Sequence, residues 1–236
     1  MKKRVQAIRI TFYAGIIKFK REVIMRKFKF MVCMLLVSFQ SLSGIQVLTQ
    51  EEKEKRIKNA LVKINAPSSD GNPDYEFNAF FISSDGLIAT YELTSMQLWY
   101  LRNELRLTFP NGIKIPLNYI AEISEIGITL LKADVVVENV LTLSNHQPEI
   151  NSEQTIMGID TNNEIVKRTI KIRSIENNDL KYSREKLMPG LLGSPIINAN
   201  GEVIGIHVGG SEKIGDGLKL SEVKDYLSKL KIILIR

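Results

Sequence analysis

With 236 residues, the chain is long enough to bury a substantial core and to form one domain or two small barrels. Its formal net charge of +6 is concentrated at the N-terminus, because residues 1–44 hold ten Lys or Arg and one acidic residue. The remaining residues carry a net charge of −3 and no basic stripe that would follow a phosphate backbone. Nucleic acid is therefore not an expected partner.

The N-terminal leader has the pattern of an export signal. A basic segment begins at Met25, residues 30–39 are an apolar run, and Ser43 and Gly44 are small residues suited to cleavage. Such a run is too short to cross a membrane as a helix, for which about twenty residues are needed. We predict that residues 1–24 precede the natural start, and that the protein is periplasmic or secreted after signal-peptide cleavage near Ser43–Gly44. The alternative is a short helix that anchors the protein to a membrane if the leader is retained.

After the leader, the chain predicts one helix and then mainly short strands. Residues 49–52, Thr-Gln-Glu-Glu, form a capping box that should begin a helix over residues 45–59. A helical turn is predicted over residues 92–103, and an amphipathic helix over residues 221–230. Strands separated by turn residues are predicted at 60–66, 75–82, 87–91, 105–109, 113–123, 128–133, 135–143, 154–159, 166–175, 196–197 and 202–208. Many short strands at regular spacing indicate an all-β barrel or sandwich.

A glycine-rich loop and a hairpin stand out in the C-terminal part of the chain. Residues 190–195 read Gly-Leu-Leu-Gly-Ser-Pro, and an Asn-Gly turn then precedes a strand that reads Glu-Val-Ile-Gly-Ile-His. This pattern resembles the nucleophile-bearing hairpin of trypsin-like serine proteases, in particular the bacterial Deg-type and glutamyl endopeptidase branches. The residues in register are Gly190, Gly193, Ser194, Pro195, Gly201, Gly205 and His207.

The resemblance implies an all-β fold, a trypsin-like double β-barrel with a C-terminal helix. The first barrel is expected over residues 57–145. The second barrel is expected over residues 150–236, which include the C-terminal helix. Residues 144–152 are the expected linker between the two.

All three catalytic positions of the family are substituted in this chain. Leu93 stands where the resemblance implies the catalytic His, Gly127 where it implies the Asp, and Leu192 where it implies the nucleophilic Ser. A nucleophile needs a hydroxyl or thiol whose proton passes to an oriented base, and none of these residues supplies either group. The resemblance therefore implies a pseudoenzyme that retains only the oxyanion-hole backbone, at Gly190 and Leu192.

Two alternatives to a pseudoenzyme that binds through its cleft remain open. One is an active serine endopeptidase with a displaced or misread site, for which Ser194 is the nearest hydroxyl. The only histidines are His146, in the expected linker, and His207. The other alternative is a structural module without any function in the cleft.

His207 has a further role implied by the resemblance. In glutamyl endopeptidases the His of Gly-Ile-His lines the specificity pocket and helps to recognise an acidic side chain. The alternative is a structural histidine at the end of a strand. The expected partner is a peptide or protein in the cleft between the barrels. No metal or other cofactor is expected, because two scattered histidines and no Cys outside the leader form no ligand cluster.

Overall fold

A computed structural model describes residues 48–67, 74–109, 112–183, 190–220 and 223–229. The predicted signal peptide and its cleavage site lie outside these residues. Among the described residues, no helix has the length and apolar character needed to cross a membrane.

Two helices flank the strands. Helix α1 (Gln50–Ala60) begins at the predicted capping box, which is confirmed. The Glu52 N–H donates to Thr49 Oγ1 at 3.2 Å, and the Thr49 N–H donates to Glu52 Oε2 at 2.8 Å. These two bonds satisfy amide groups that the first helical turn leaves without partners. Helix α2 (Val223–Lys229) lies near the C-terminus, within the predicted amphipathic segment.

The strands form two closed antiparallel barrels, each of which has six strands among the described residues. The first barrel consists of β1 (Leu61–Ala66), β2 (Tyr75–Phe81), β3 (Leu87–Tyr91), β4 (Arg106–Thr108), β5 (Lys114–Ile123) and β6 (Ile128–Ala133), in the order β1-β2-β3-β6-β5-β4. The second consists of β7 (Glu153–Ile159), β8 (Ile165–Glu176), β9 (Asp179–Ser183), β10 (Pro195–Ile197), β11 (Val203–Gly210) and β12 (Ile214–Lys219), in the order β10-β11-β12-β9-β8-β7. The predicted double β-barrel with a C-terminal helix is confirmed.

Some elements differ from the sequence-based prediction. Strands β9 and β12 were not predicted. For β12 the reason is its sequence Ile-Gly-Asp-Gly, because glycine disfavours strands. Tertiary packing explains the glycine at position 215, where an added Cβ would lie 1.9 Å from Tyr182 Cε2. Residues 135–143 form no strand, and their one ladder contact is the isolated bridge between Leu143 and Val203. Residues 92–103 form turns that include a short 3-10 helix, Trp99–Leu101.

The buried apolar residues of the described chain form three clusters. One fills the interior of the first barrel, and another fills that of the second. The third lies between the barrels, where it also includes Ile57 of α1 and Val223 and Leu227 of α2. Both helices therefore cover the inter-barrel core, and burial of their apolar residues fixes them against it.

Asn78 connects the two barrels through hydrogen bonds. This residue of β2 is fully buried, and its side-chain Oδ1 accepts from the Ile159 N–H at 2.7 Å. Its Nδ2 donates to the Ile159 carbonyl at 3.0 Å and to the Gly190 carbonyl at 2.6 Å. The Asn78 backbone N–H also donates to the Leu192 carbonyl at 2.7 Å. One residue of the first barrel thus holds both the end of β7 and the loop that precedes β10.

Replacement of Asn78 by Asp should destabilise the protein. Asn78→Asp keeps the shape but places a carboxylate oxygen against the carbonyls of Ile159 and Gly190. We expect a loss of about 2–4 kcal/mol in the free energy of unfolding, measured by urea denaturation at neutral pH, because a buried charge then faces two acceptors. The control Asn118→Asp lies at an exposed position of β5 and should change stability by less than about 0.5 kcal/mol. Equal effects of the two variants would contradict the role of Asn78.

Candidate functional site

Leu93 follows β3 and lies in the interior of the first barrel. Its side chain is fully buried and belongs to the apolar cluster of that barrel. Its backbone N–H donates to Glu122 Oε2 at 2.9 Å and to Thr129 Oγ1 at 3.1 Å. The position predicted to replace a catalytic histidine therefore carries a core side chain on a turn that polar groups hold in place.

Glu122 on β5 organises this turn, although no sequence pattern marked it as a site residue. Besides Leu93, its carboxylate accepts from the Thr94 N–H at 3.3 Å and from the hydroxyls of Thr94 and Thr129. The contacts with Leu93 and Thr94 join residues 29 and 28 positions apart in the chain, so no local pattern could have shown them. A half-buried carboxylate thus stands beside the Leu93 backbone and is fully used in supporting it.

A side chain at Gly127 would meet both an unfavourable backbone conformation and the end of the Leu218 side chain. Its φ is +66°, a conformation that disfavours residues with a Cβ. An added Cβ would lie 2.4 Å from Leu218 Cδ1, which belongs to β12 of the second barrel. Its carbonyl accepts from the Glu92 N–H at 3.0 Å, so that the segments of Leu93 and Gly127 lie next to each other. An acidic residue at position 127 would require both backbone strain and displacement of Leu218.

The loop of Gly190 and Leu192 retains backbone donors that the described residues do not use. Leu192 is half-buried, and its carbonyl is held by Asn78. Gly193 follows it and donates its N–H to the His207 carbonyl at 2.9 Å. Within the described chain, no group accepts a hydrogen bond from the N–H of Gly190 or Leu192. Such backbone donors suit a carbonyl or carboxylate oxygen of a ligand.

Ser194 and His207 are opposite each other where β10 and β11 begin to pair. The His207 N–H donates to the Ser194 carbonyl at 2.8 Å. Ser194 is nonetheless fully buried, and its Oγ has no hydrogen-bond partner among the described residues. The hydroxyl lies beside Gly158, only 2.1 Å from where a Cβ on that residue would be. The His207 ring is therefore not hydrogen-bonded to the Ser194 hydroxyl.

The His207 ring contacts Tyr182 instead. His207 is 2% exposed, and its Nδ1 shares a short hydrogen bond with the Tyr182 hydroxyl. That hydroxyl donates its single proton to the Asp216 carbonyl at 3.1 Å, so it accepts from an Nδ1–H of His207. When the ring is neutral, this arrangement places its proton on Nδ1. Tyr182 lies 25 residues before His207 and had no local signal in the sequence.

The remaining residues that were considered for catalysis or metal binding do not form a site among the described residues. His146 is exposed, and its backbone N–H donates to Ser144 Oγ at 3.1 Å. Among the residues that the structure describes, no group of three His, Cys, Asp or Glu side chains is placed to hold a metal ion. The structure thus brings Gly190, Leu192 and His207 together around one loop and places Leu93 and Gly127 on neighbouring segments.

The comparisons with known proteins support the fold. No protein-family model matches the sequence, and no curated protein is significantly similar to it. The structure is similar to that of the active form of the Rv3671c protease from M. tuberculosis, with a TM-score of 0.63 and 16% identity over 81% of this chain and 89% of that one. It is also similar to a serine endoprotease from Yersinia pestis, with a TM-score of 0.62 and 18% identity over 78% of this chain and 66% of that one. The chain therefore has the double-barrel fold of trypsin-like serine proteases.

Proposed function

We propose that the protein is a catalytically inactive relative of trypsin-like serine proteases that binds a peptide or protein segment in the cleft between its barrels. The observation that carries the proposal is the nature of positions 93, 127 and 192. Leu93 is a core residue, Gly127 has no side chain and a backbone conformation that disfavours one, and Leu192 has no proton to transfer. Acyl transfer by this family's mechanism needs a nucleophile, a base and an orienting group, and these positions provide none of them.

The backbone N–H donors of the loop support the proposal that a ligand binds in the cleft. The N–H groups of Gly190 and Leu192 have no acceptor within the described residues, and Asn78 fixes the Gly190 and Leu192 carbonyls. Hydrogen-bond donors held in place before a ligand arrives cost no reorganisation when it binds. A carbonyl oxygen of a bound peptide would therefore find the same donors in the absence of any reaction.

The alternative is an active serine endopeptidase with Ser194 as a displaced nucleophile. The observation in its favour is that Ser194 and His207 oppose each other across β10 and β11. Against it, the Ser194 hydroxyl is fully buried and has no described hydrogen-bond partner, whereas His207 Nδ1 is bonded to Tyr182. A nucleophile must reach both its base and its substrate, so the inactive form is the better supported proposal.

The first functional prediction concerns activity. The purified chain should not hydrolyse casein or a glutamyl peptide substrate, and it should not be labelled by a fluorophosphonate, because no activated hydroxyl is available. Labelling followed by intact-mass measurement checks this, with an active trypsin-like enzyme as the positive control. Labelling of the chain that is lost in Ser194→Ala would overturn the proposal and establish the displaced site.

A second prediction concerns His207 as part of a specificity pocket. Since Nδ1 already carries a proton, a carboxylate could gain a charge-assisted bond only from the doubly protonated ring, which is populated at lower pH. A Glu-containing peptide should therefore bind about ten- to a hundredfold more tightly at pH 5.5 than at pH 8, whereas its Gln counterpart should bind equally at both.

Fluorescence anisotropy of the two labelled peptides measures this difference. His207→Gln should remove it, and His146→Gln, a change at the other, exposed histidine, should leave it intact. Equal affinities for both peptides at both pH values would make His207 a structural residue.

We also propose that the protein is exported. The support is the basic segment at Met25, the apolar run of residues 30–39 and the small residues before position 45. The mass of the protein isolated from its natural host should correspond to a chain that begins near residue 44 or 45. A mass that includes residues 25–44 would instead support an anchored form.

A further inference from the structure

A cavity opens between the barrels. It is formed by β1, β2, β4 and β5 on one side and by the turn from β7 to β8 on the other. Its volume is about 360 Å³, at the lower end of the range for small-molecule pockets. It is separate from the loop of Gly190 and Leu192, neither of which lines it. Ile159 belongs to its wall and is also the residue held by Asn78.

Lys63 is a buried cation in the wall of this cavity. The residue is 4% exposed, and its Nζ donates to Glu76 Oε2 at 2.8 Å and to Asn163 Oδ1 at 2.8 Å. An ammonium group has three N–H donors, and these two bonds are its only ones to described residues. One donor of a nine-tenths buried charge is therefore left over, which is costly unless a ligand or solvent accepts it.

The rest of the lining is mainly apolar. Phe109 is half-buried, Ile159 is 6% exposed, and Ile165 remains 40% exposed despite its size. Apolar surface at the mouth of a concave site, next to a few fixed polar groups, is the usual composition of a ligand pocket. A hydrocarbon group of a ligand would cover these side chains.

The charges of the lining favour an anion. The hydrogen bond from Lys63 lowers the pKa of Glu76, so this carboxylate stays ionised and balances Lys63. Lys114 adds a second cation, which is half-exposed and only loosely paired with Asp74 at 3.8 Å. Among the described residues that line the cavity there are thus two cations and one anion, and one of the cations is an ammonium with a spare donor.

We propose that this cavity binds a small apolar group that carries a carboxylate. The carboxylate accepts the third N–H of Lys63 and is attracted by Lys114, while the hydrocarbon part packs against Phe109, Ile159 and Ile165. Both the C-terminal residue of a peptide and a short free carboxylic acid have this chemistry. The inference does not depend on whether the protein is inactive, since no residue of the cavity occupies a triad position.

Calorimetric titration of the full chain with two pairs of probes tests the proposal. The pairs are hexanoate with hexanol, and acetyl-Gly-Leu with its C-terminal amide. At least one of the two acids should bind, about ten- to a hundredfold more tightly than its neutral counterpart, because a hydrogen bond to a charged group is lost in the latter. Binding of hexanoate alone identifies a free acid as the ligand type, and binding of the peptide alone identifies a C-terminus.

Variants connect the binding to the cavity. Lys63→Met removes the ammonium, and Ile165→Glu places a negative charge, which repels a carboxylate, at a wall position that is 40% exposed. Each should weaken binding of the acid at least tenfold, whereas Lys171→Met, a control at an exposed cation of β8, should not. If Lys63→Met fails to fold, Ile165→Glu decides. Absence of binding by both acids, equal binding of the neutral probes, or unchanged affinity in Ile165→Glu would overturn the proposal.

Discussion

The side chain of Asn78 is the interaction on which the candidate site depends. A buried amide has two donors and an acceptor, and Asn78 uses them on the backbone of Ile159 and Gly190, in the other barrel. Apolar packing between the barrels is not directional, so it alone would not fix the orientation of a loop. Because backbone hydrogen bonds are directional, they determine where the carbonyls and N–H groups of residues 190–193 point.

The site therefore consists of two parts that respond differently to substitution. The loop with its N–H donors is a backbone structure, set by glycine conformations and by Asn78, and it does not require any particular side chain at position 192. A catalytic triad is made only of side chains, whereas in this chain Leu93 is a core residue and Gly127 belongs to a turn. A change of side chain at position 93, 127 or 192 would therefore leave the backbone donors of this loop in place.

The fold could be predicted from the sequence because the hairpin around Gly201 and the regular strand spacing are local signals. The residues that support the candidate site could not be predicted in this way. Glu122, Tyr182 and Asn78 act on residues that are 25 or more positions away in the chain, and each is an ordinary residue of a strand. The buried position of Lys63 could not be predicted for the same reason, because its partner Asn163 is 100 residues away in the chain. Strand β12 was not predicted because it contains glycines, which have low strand propensity. These glycines are needed for close packing against the Tyr182 ring.

The contact between Gly127 and Leu218 has a consequence for how this protein could change over generations. A carboxylate at position 127 requires Leu218 of the opposite barrel to shift or to be replaced by a smaller residue. A smaller residue at position 218 leaves a void as long as position 127 is glycine. Each step alone carries a penalty, so the two substitutions are epistatic. A carboxylate at position 127 is thus disfavoured along a path of single beneficial mutations.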